Sequence, residues 1–90
     1  MLNVVLSNRF KKDLKAASER GYDLDLLNAV VNTLACQQPL SEKNRDHALT
    51  GGYIGFRECH ISSDWLLIYR VYGDDLILFL SRTGTHSDLF

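Results

Sequence analysis

The chain has 90 residues, 46% of them hydrophobic, and a formal net charge of -1. That bounds it to one domain over residues 1–90 with a small core, excludes a bilayer-spanning run and excludes a uniformly basic nucleic-acid binder. Cys36 and Cys59 form neither a CxxC pair nor a disulfide framework, and Met1–Arg9 lacks a signal-peptide pattern, so a reduced, cytoplasmic setting without a membrane partner is expected.

Leu2–Leu6 reads as a short strand. Ser7 is placed to cap a helix by accepting a hydrogen bond from an early backbone N–H. Phe10, Leu14 and Ala17 then recur at helical spacing, with Lys11, Lys12 and Lys15 between them. Gly21 is placed to end that helix in the left-handed conformation. Asp23 begins a second helix, whose apolar stripe is Leu24, Leu27, Val30, Val31 and Leu34; Pro39 stops it.

Residues 38–52 read as one long polar connection that holds Arg45, Asp46 and His47. Beyond it the hydrophobic period changes to two. Strands are expected over Tyr53–Ile61, Trp65–Tyr72 and Leu76–Arg82, the last two joined by the tight turn Gly73-Asp74-Asp75. Trp65-Leu66-Leu67-Ile68-Tyr69 is apolar on both sides and fits a central strand. The order predicts an α+β domain with two N-terminal helices packed on one face of a small antiparallel sheet.

The polar residues cluster in the second half. His47, His60 and His86 each adjoin a predicted strand end or loop, and histidine suits proton transfer near neutral pH. No HExxH and no zinc-type Cys/His spacing is present, so neither a metal nor a cofactor is expected. Arg82 and Arg57 each have two readings, an ion pair within the fold or a phosphate clamp. For Arg82 the ion-pair candidates are Asp64 and Asp88. Trp65 reads as core. Phe90 either docks on the core or offers a face for stacking an unpaired base. Imidazoles, a guanidinium, a carboxylate and aromatics together are what metal-free RNA cleavage requires.

Four blocks carry a resemblance: Asp46-His47-Ala48-Leu49-Thr50-Gly51, Arg57-Glu58-Cys59-His60-Ile61, Asp64-Trp65-Leu66-Leu67-Ile68-Tyr69 and Arg82-Thr83-Gly84-Thr85-His86-Ser87-Asp88-Leu89-Phe90. In order and spacing they resemble the YafQ branch of the RelE/ParE toxin superfamily. The resemblance implies the RelE-like fold and a type II toxin that cleaves mRNA on the ribosome. It also implies a cognate antitoxin, DinJ-like and of the ribbon-helix-helix type, with operator DNA bound only through it. It carries over His47, His60, Asp64, Arg82 and His86 as candidate catalytic residues. Trp65, Phe90, Arg57 and Arg45 are the candidate substrate contacts. In the chemistry expected here His86 is the general acid. His60 or His47 is the base, with Asp64 orienting or sharing that role, and Arg82 stabilises the phosphorane. The rival reading is a catalytically silent homologue that acts as a binding module with its antitoxin in autorepression.

Overall fold

The structure is a computed structural model that describes residues 1–90. Ser7 accepts from the Phe10 N–H at 2.9 Å and starts helix α1, Asn8–Glu19. The helix ends where the sequence places its stop, with Gly21 at φ 79. Asp23 accepts from the Asp25 N–H and caps helix α2, Leu24–Ala35. Phe10 and Ala17 of α1 and Leu27, Val30 and Leu34 of α2 are buried, and Val31 is half-buried against the same core.

Five strands make one sheet: β1 Asn3–Leu6, β2 His47–Ala48, β3 Arg57–Ser62, β4 Trp65–Tyr72 and β5 Ile77–Gly84, in the order β1-β5-β4-β3-β2. β4 is central, as its two-sided apolar run requires. The expected antiparallel sheet is corrected in one respect: β1 pairs with β5 in parallel, so the sheet is mixed. After the crossover through α1 and α2 the chain re-enters in β2 opposite to β1, and the three reversals from β2 to β5 bring β5 into the direction of β1. The connection at 38–52 is also more structured than expected. It contains a 3-10 turn at Glu42–Asn44, strand β2, and part of a second 3-10 turn at Gly51–Tyr53. The strand expected from Tyr53 therefore begins at Arg57, because Gly55, at φ 92, turns the chain first.

Both faces of the sheet are covered around β4. The helical hairpin packs on one, over Cys59, Ile61, Leu67, Tyr69, Leu78 and Leu80. On the other, Leu66 and Ile68 pack against Leu89, Leu49, Tyr53 and Phe56. Leu89 belongs to an unexpected short helix, α3, His86–Leu89. Thr85 caps it through a reciprocal capping box with Asp88. No helix is long and apolar enough to cross a membrane.

Candidate active site

Strand alternation decides which residues meet. Residues opposite each other in a ladder point to the same face. His47 faces Glu58, Glu58 faces Ile68, and His60 faces Leu66. His47, Glu58 and His60 thus lie on the face away from the helical hairpin. α3 sits at the end of that face and brings His86 to His60, with ring centroids 6.1 Å apart.

Each imidazole is held by its Nδ1. The His86 Nδ1–H donates to Asp64 Oδ1 at 2.8 Å, and the His86 backbone N–H reaches the same oxygen at 3.2 Å. These two bonds, the ring N–H first, hold the Asp64 carboxyl below the usual carboxylate range. The His60 Nδ1–H donates to the Ser63 carbonyl at 3.2 Å. The His47 Nδ1–H donates to the Arg45 carbonyl at 2.6 Å. No protein group bonds Nε2 of His60 or His86, so both nitrogens are available to a substrate.

Phe90 is 62% exposed. Its ring lies 6.2 Å from that of His86 and 5.6 Å from that of Tyr53. Arg45 lines an open groove of about 600 Å³ with Lys43, His60 and Ser63. A second groove, of about 400 Å³, runs past Asp64 and Thr85 between Tyr22 and Leu26.

Three of the nine candidates are engaged by partners within the fold. Trp65 is only 4% exposed. Its indole N–H donates to Thr83 Oγ1 at 2.9 Å and its ring leans on Tyr22 at 5.0 Å. Its place is in the core beside the site, as the residue-level reading expected. Arg57 points to the opposite face, where its Nε donates to Asp46 Oδ1 at 3.2 Å alongside the Tyr69 hydroxyl at 2.6 Å. The Asp46 carboxylate raises the Arg57 pKa. Burial first, then Asp46, pushes the Tyr69 phenol up. Arg82, with a side chain 13% exposed, is gripped by Asp13 rather than by Asp64 or Asp88. Its Nε donates to Asp13 Oδ2 at 2.7 Å and its Nη2 to Oδ1 at 3.0 Å. That pairing raises the Arg82 pKa. Of its guanidinium nitrogens, Nη1 is left without a protein acceptor.

Four supporting residues escaped the sequence reading. The buried Asn44 donates to the His60 carbonyl at 2.7 Å and ties the Arg45–His47 segment to β3. Arg20 pairs with Asp88 at 2.7 Å and fastens α3 to α1. Asp13 and the buried Glu58 complete the set. Glu58 alone left a signal, since it alternates with His60 at a spacing of two. No group of three or more His, Cys, Asp or Glu side chains is placed to hold a metal ion.

A mixed sheet backed by an N-terminal helical hairpin, with His60 of β3, Asp64 of the β3–β4 turn and His86 of α3 gathered at one end of its other face, is the architecture of a small bacterial toxin. Residues 2–90 match the family described as the bacterial toxin of type II toxin-antitoxin systems, YafQ. The chain belongs to the YafQ toxin family.

The chain is 36% identical over 89 residues to the mRNA interferase toxin YafQ of Escherichia coli strain K12, covering 98% of this chain and 95% of that one. Among solved structures it is similar to a metal-bound toxin from Helicobacter pylori, with TM-score 0.94, 49% identity and full coverage of both chains. It is also similar to a chain of the E. coli DinJ-YafQ toxin-antitoxin complex, with TM-score 0.88 and 36% identity, covering 99% of this chain and 97% of that one.

Proposed function

We propose that this toxin is an mRNA interferase, an endoribonuclease that cleaves mRNA on the ribosome by acid–base chemistry between two histidines. The observation that carries the reading is the His60–His86 pair, 6.1 Å between ring centroids, each ring anchored at Nδ1 and free at Nε2. A phosphodiester placed between them meets a base on one side and an acid on the other.

His60 takes the proton of the 2′-OH. Its Nδ1–H bond to the Ser63 carbonyl fixes the tautomer whose lone pair is on Nε2. The 2′-oxygen attacks phosphorus and the bond to the 5′-oxygen breaks, leaving a 2′,3′-cyclic phosphate and a 5′-hydroxyl. His86 gives its Nε2 proton to the departing 5′-oxygen. Asp64 holds the ring for that task through the Nδ1–H bond. Positioned acid–base groups of this kind contribute roughly 100- to 10,000-fold each. Arg82 contributes positive charge through its unbonded Nη1 edge while Asp13 holds the rest of the guanidinium. Phe90, exposed beside His86, stacks on a base. Arg45 and Lys43 line the path of the flanking backbone.

A cognate antitoxin related to DinJ, of the ribbon-helix-helix type, silences the toxin, and operator DNA is bound only through it. The basic, exposed face of α1, with Arg9, Lys11, Lys12 and Lys15, favours an acidic partner. Both cysteines are free thiols, which fits a cytoplasmic setting.

The test is single-turnover cleavage of mRNA on programmed ribosomes by toxin released from its antitoxin. His86→Gln is expected to fold and to bind antitoxin while cleavage falls by about 100-fold or more. An RNA with a 5′-bridging sulfur at the scissile bond has a better leaving group and restores His86→Gln much more than Arg82→Ala. Equal rescue of both variants overturns the acid assignment. A His86→Gln variant that cleaves at the parental rate removes His86 from the mechanism.

A further inference from the structure

Arg70 is the half-buried arginine that the fold leaves without an acceptor. Arg57 and Arg82, half-buried like it, are each gripped by an aspartate. Arg70 makes neither an ion pair nor a hydrogen bond and is held by packing alone. Its guanidinium carbon lies 4.8 Å from the centre of the Tyr72 ring and 5.6 Å from that of Phe56. Gly55 makes room for it, since a Cβ there would stand 3.1 Å from Arg70 Nη1. The aliphatic stem would suffice to cover the two rings, yet the charged head is what stacks on them. Its N–H donors are thus fixed in place with nothing in the chain to receive them.

The position of Arg70 gives the class of ligand. It alternates with Ile68 and Leu66 along β4, so it lies on the face that carries the histidines, about 13 Å along the strand from the Leu66–His60 pair. A series of rings joins the two places. From His86 the centroid steps are 6.2 Å to Phe90, 5.6 Å to Tyr53 and 6.3 Å to Phe56, where Arg70 and Tyr72 take over. Rings in series that end on a cation suit a single nucleic-acid strand. Each base has a face to stack, and the guanidinium fork fits a phosphate. α3 covers Leu66 and Ile68. Past them the face opens, with Val5 on β1 42% exposed and Tyr72 36%. The acids nearest Arg70 do not fill its fork. Glu58, diagonal to it across β3, is paired with His47, and Asp74 and Asp75 lie in the exposed turn beyond Tyr72.

We propose that Tyr53, Phe56, Arg70 and Tyr72 form a track for the mRNA strand downstream of the scissile bond, with Arg70 as its phosphate contact. The proposal rests on the nuclease reading above, and the direction of the strand follows from it. His86 protonates the departing 5′-oxygen, which belongs to the downstream nucleotide, and the track begins at His86. A chain of net charge -1 thereby holds RNA without a broadly basic surface, because one guanidinium is fixed on the path the strand takes.

The test is single-turnover cleavage by antitoxin-released toxin on ribosomes programmed with two mRNAs. One ends at the nucleotide just downstream of the scissile bond, and the other runs on past it. On the long mRNA, Arg70→Ala is expected to need about 10-fold more toxin for half-maximal cleavage, the worth of one charge-assisted contact. Its salt dependence should be shallower by about one phosphate contact. Arg70→Lys keeps the charge without the stacked fork and should recover part of the loss. Tyr72→Ala frees the guanidinium and should lose about 3-fold. On the short mRNA the parent and these variants should converge, which a merely structural role would not produce. A loss of equal size on both mRNAs overturns the proposal and places the contact on ribosomal RNA or within the fold. Parental cleavage of the long mRNA by Arg70→Ala overturns it too, and weakened antitoxin binding in that variant would then assign the guanidinium to an acidic protein partner. Should Arg70→Ala not fold, Arg70→Lys and Tyr72→Ala decide by the same comparison. His86→Gln is the control. If it cleaves like the parent, the nuclease reading itself falls. An impaired His86→Gln beside a parental Arg70→Ala leaves that reading standing and removes the track.

Discussion

Removing the Asp13 carboxylate is the sharpest test of how the far end of β5 is held. β1 covers the β5 edge only as far as Leu80, where Leu6 is its last partner. Beyond that point α1 covers the edge, and Asp13 makes the connection. It accepts from Arg82 Nε at 2.7 Å, from Arg82 Nη2 at 3.0 Å and from the Thr83 backbone N–H at 3.2 Å. Asp13→Ala leaves a mostly buried guanidinium without its counter-ion and an unpaired backbone donor. Breaking a buried pair costs 3–5 kcal/mol, and the residual exposure of both side chains reduces that to about 3 kcal/mol. For a domain of this size the melting temperature should fall by roughly 12–24 °C. Urea and thermal unfolding of the antitoxin-free protein measure it. The double variant Asp13→Ala/Arg82→Met removes the stranded charge and should recover about 1 kcal/mol or more relative to the sum of the single changes. A cost for Asp13→Ala below about 1 kcal/mol, the range of an exposed pair, refutes the reasoning. Strict additivity in the double variant refutes it as well.

Leu89→Ala removes the α3 contribution to a small cluster with Leu66 and Ile68. It should cost about 2 kcal/mol in urea unfolding, at the low end for a buried leucine, and cleavage should fall further than the unfolded fraction explains, because α3 carries His86. Asp64→Ala should leave the thermal melt nearly unchanged and lower cleavage by about 100-fold. Asp64→Asn keeps an oxygen for both His86 N–H groups and should lose less, and equal activity in all three proteins removes Asp64 as the orienting group. Asp88 predicts an acid response. The Arg20 side chain, then the Thr85 backbone N–H, hold its carboxyl well below the usual carboxylate range. A depressed carboxylate stabilises the fold fully above its unfolded value of about 3.9. That contribution is lost as pH falls from there through the lower folded value. Amide protection of Leu89 and Phe90 should therefore weaken below about pH 4 before the core melts, and Asp88→Asn should lack that step.

Local chemistry was legible in the sequence. Ser7, Gly21 and Asp23 mark the ends of α1 and α2 because capping needs only neighbouring residues. The two-sided apolar run from Trp65 marks the central strand because burial on both faces leaves no polar alternation. Long-range pairing was not legible. Nothing near Asp13 says that it grips Arg82, 69 positions away, or that Arg20 reaches Asp88 across 68. The parallel partner of β1 was hidden for the same reason. The histidines could be named from residue type and resemblance, but their tautomers depend on carbonyls supplied by turns. His60 is set by Ser63, and His47 by Arg45 in an unusual backbone conformation. Glu58 was passed over because a lone glutamate in a strand looks solvent-facing until β2 and the covering segment are placed over it.

The closure of the sheet has a consequence for the order in which the protein comes into being. β1 emerges first during synthesis and finds its neighbour only in β5, while the Ser7 hydroxyl waits for the Ser81 carbonyl, 74 residues later. Contacts of such separation form late, because the loop entropy must be overcome before they stabilise anything. His86 and Leu89 lie later still, and Leu66 and Ile68 lack their α3 cover until those residues dock. A nascent chain thus passes through most of its length with β1 unpaired, the second face of β4 exposed and His86 absent. The sheet and the histidine pair are therefore completed together, by the same last-formed segment.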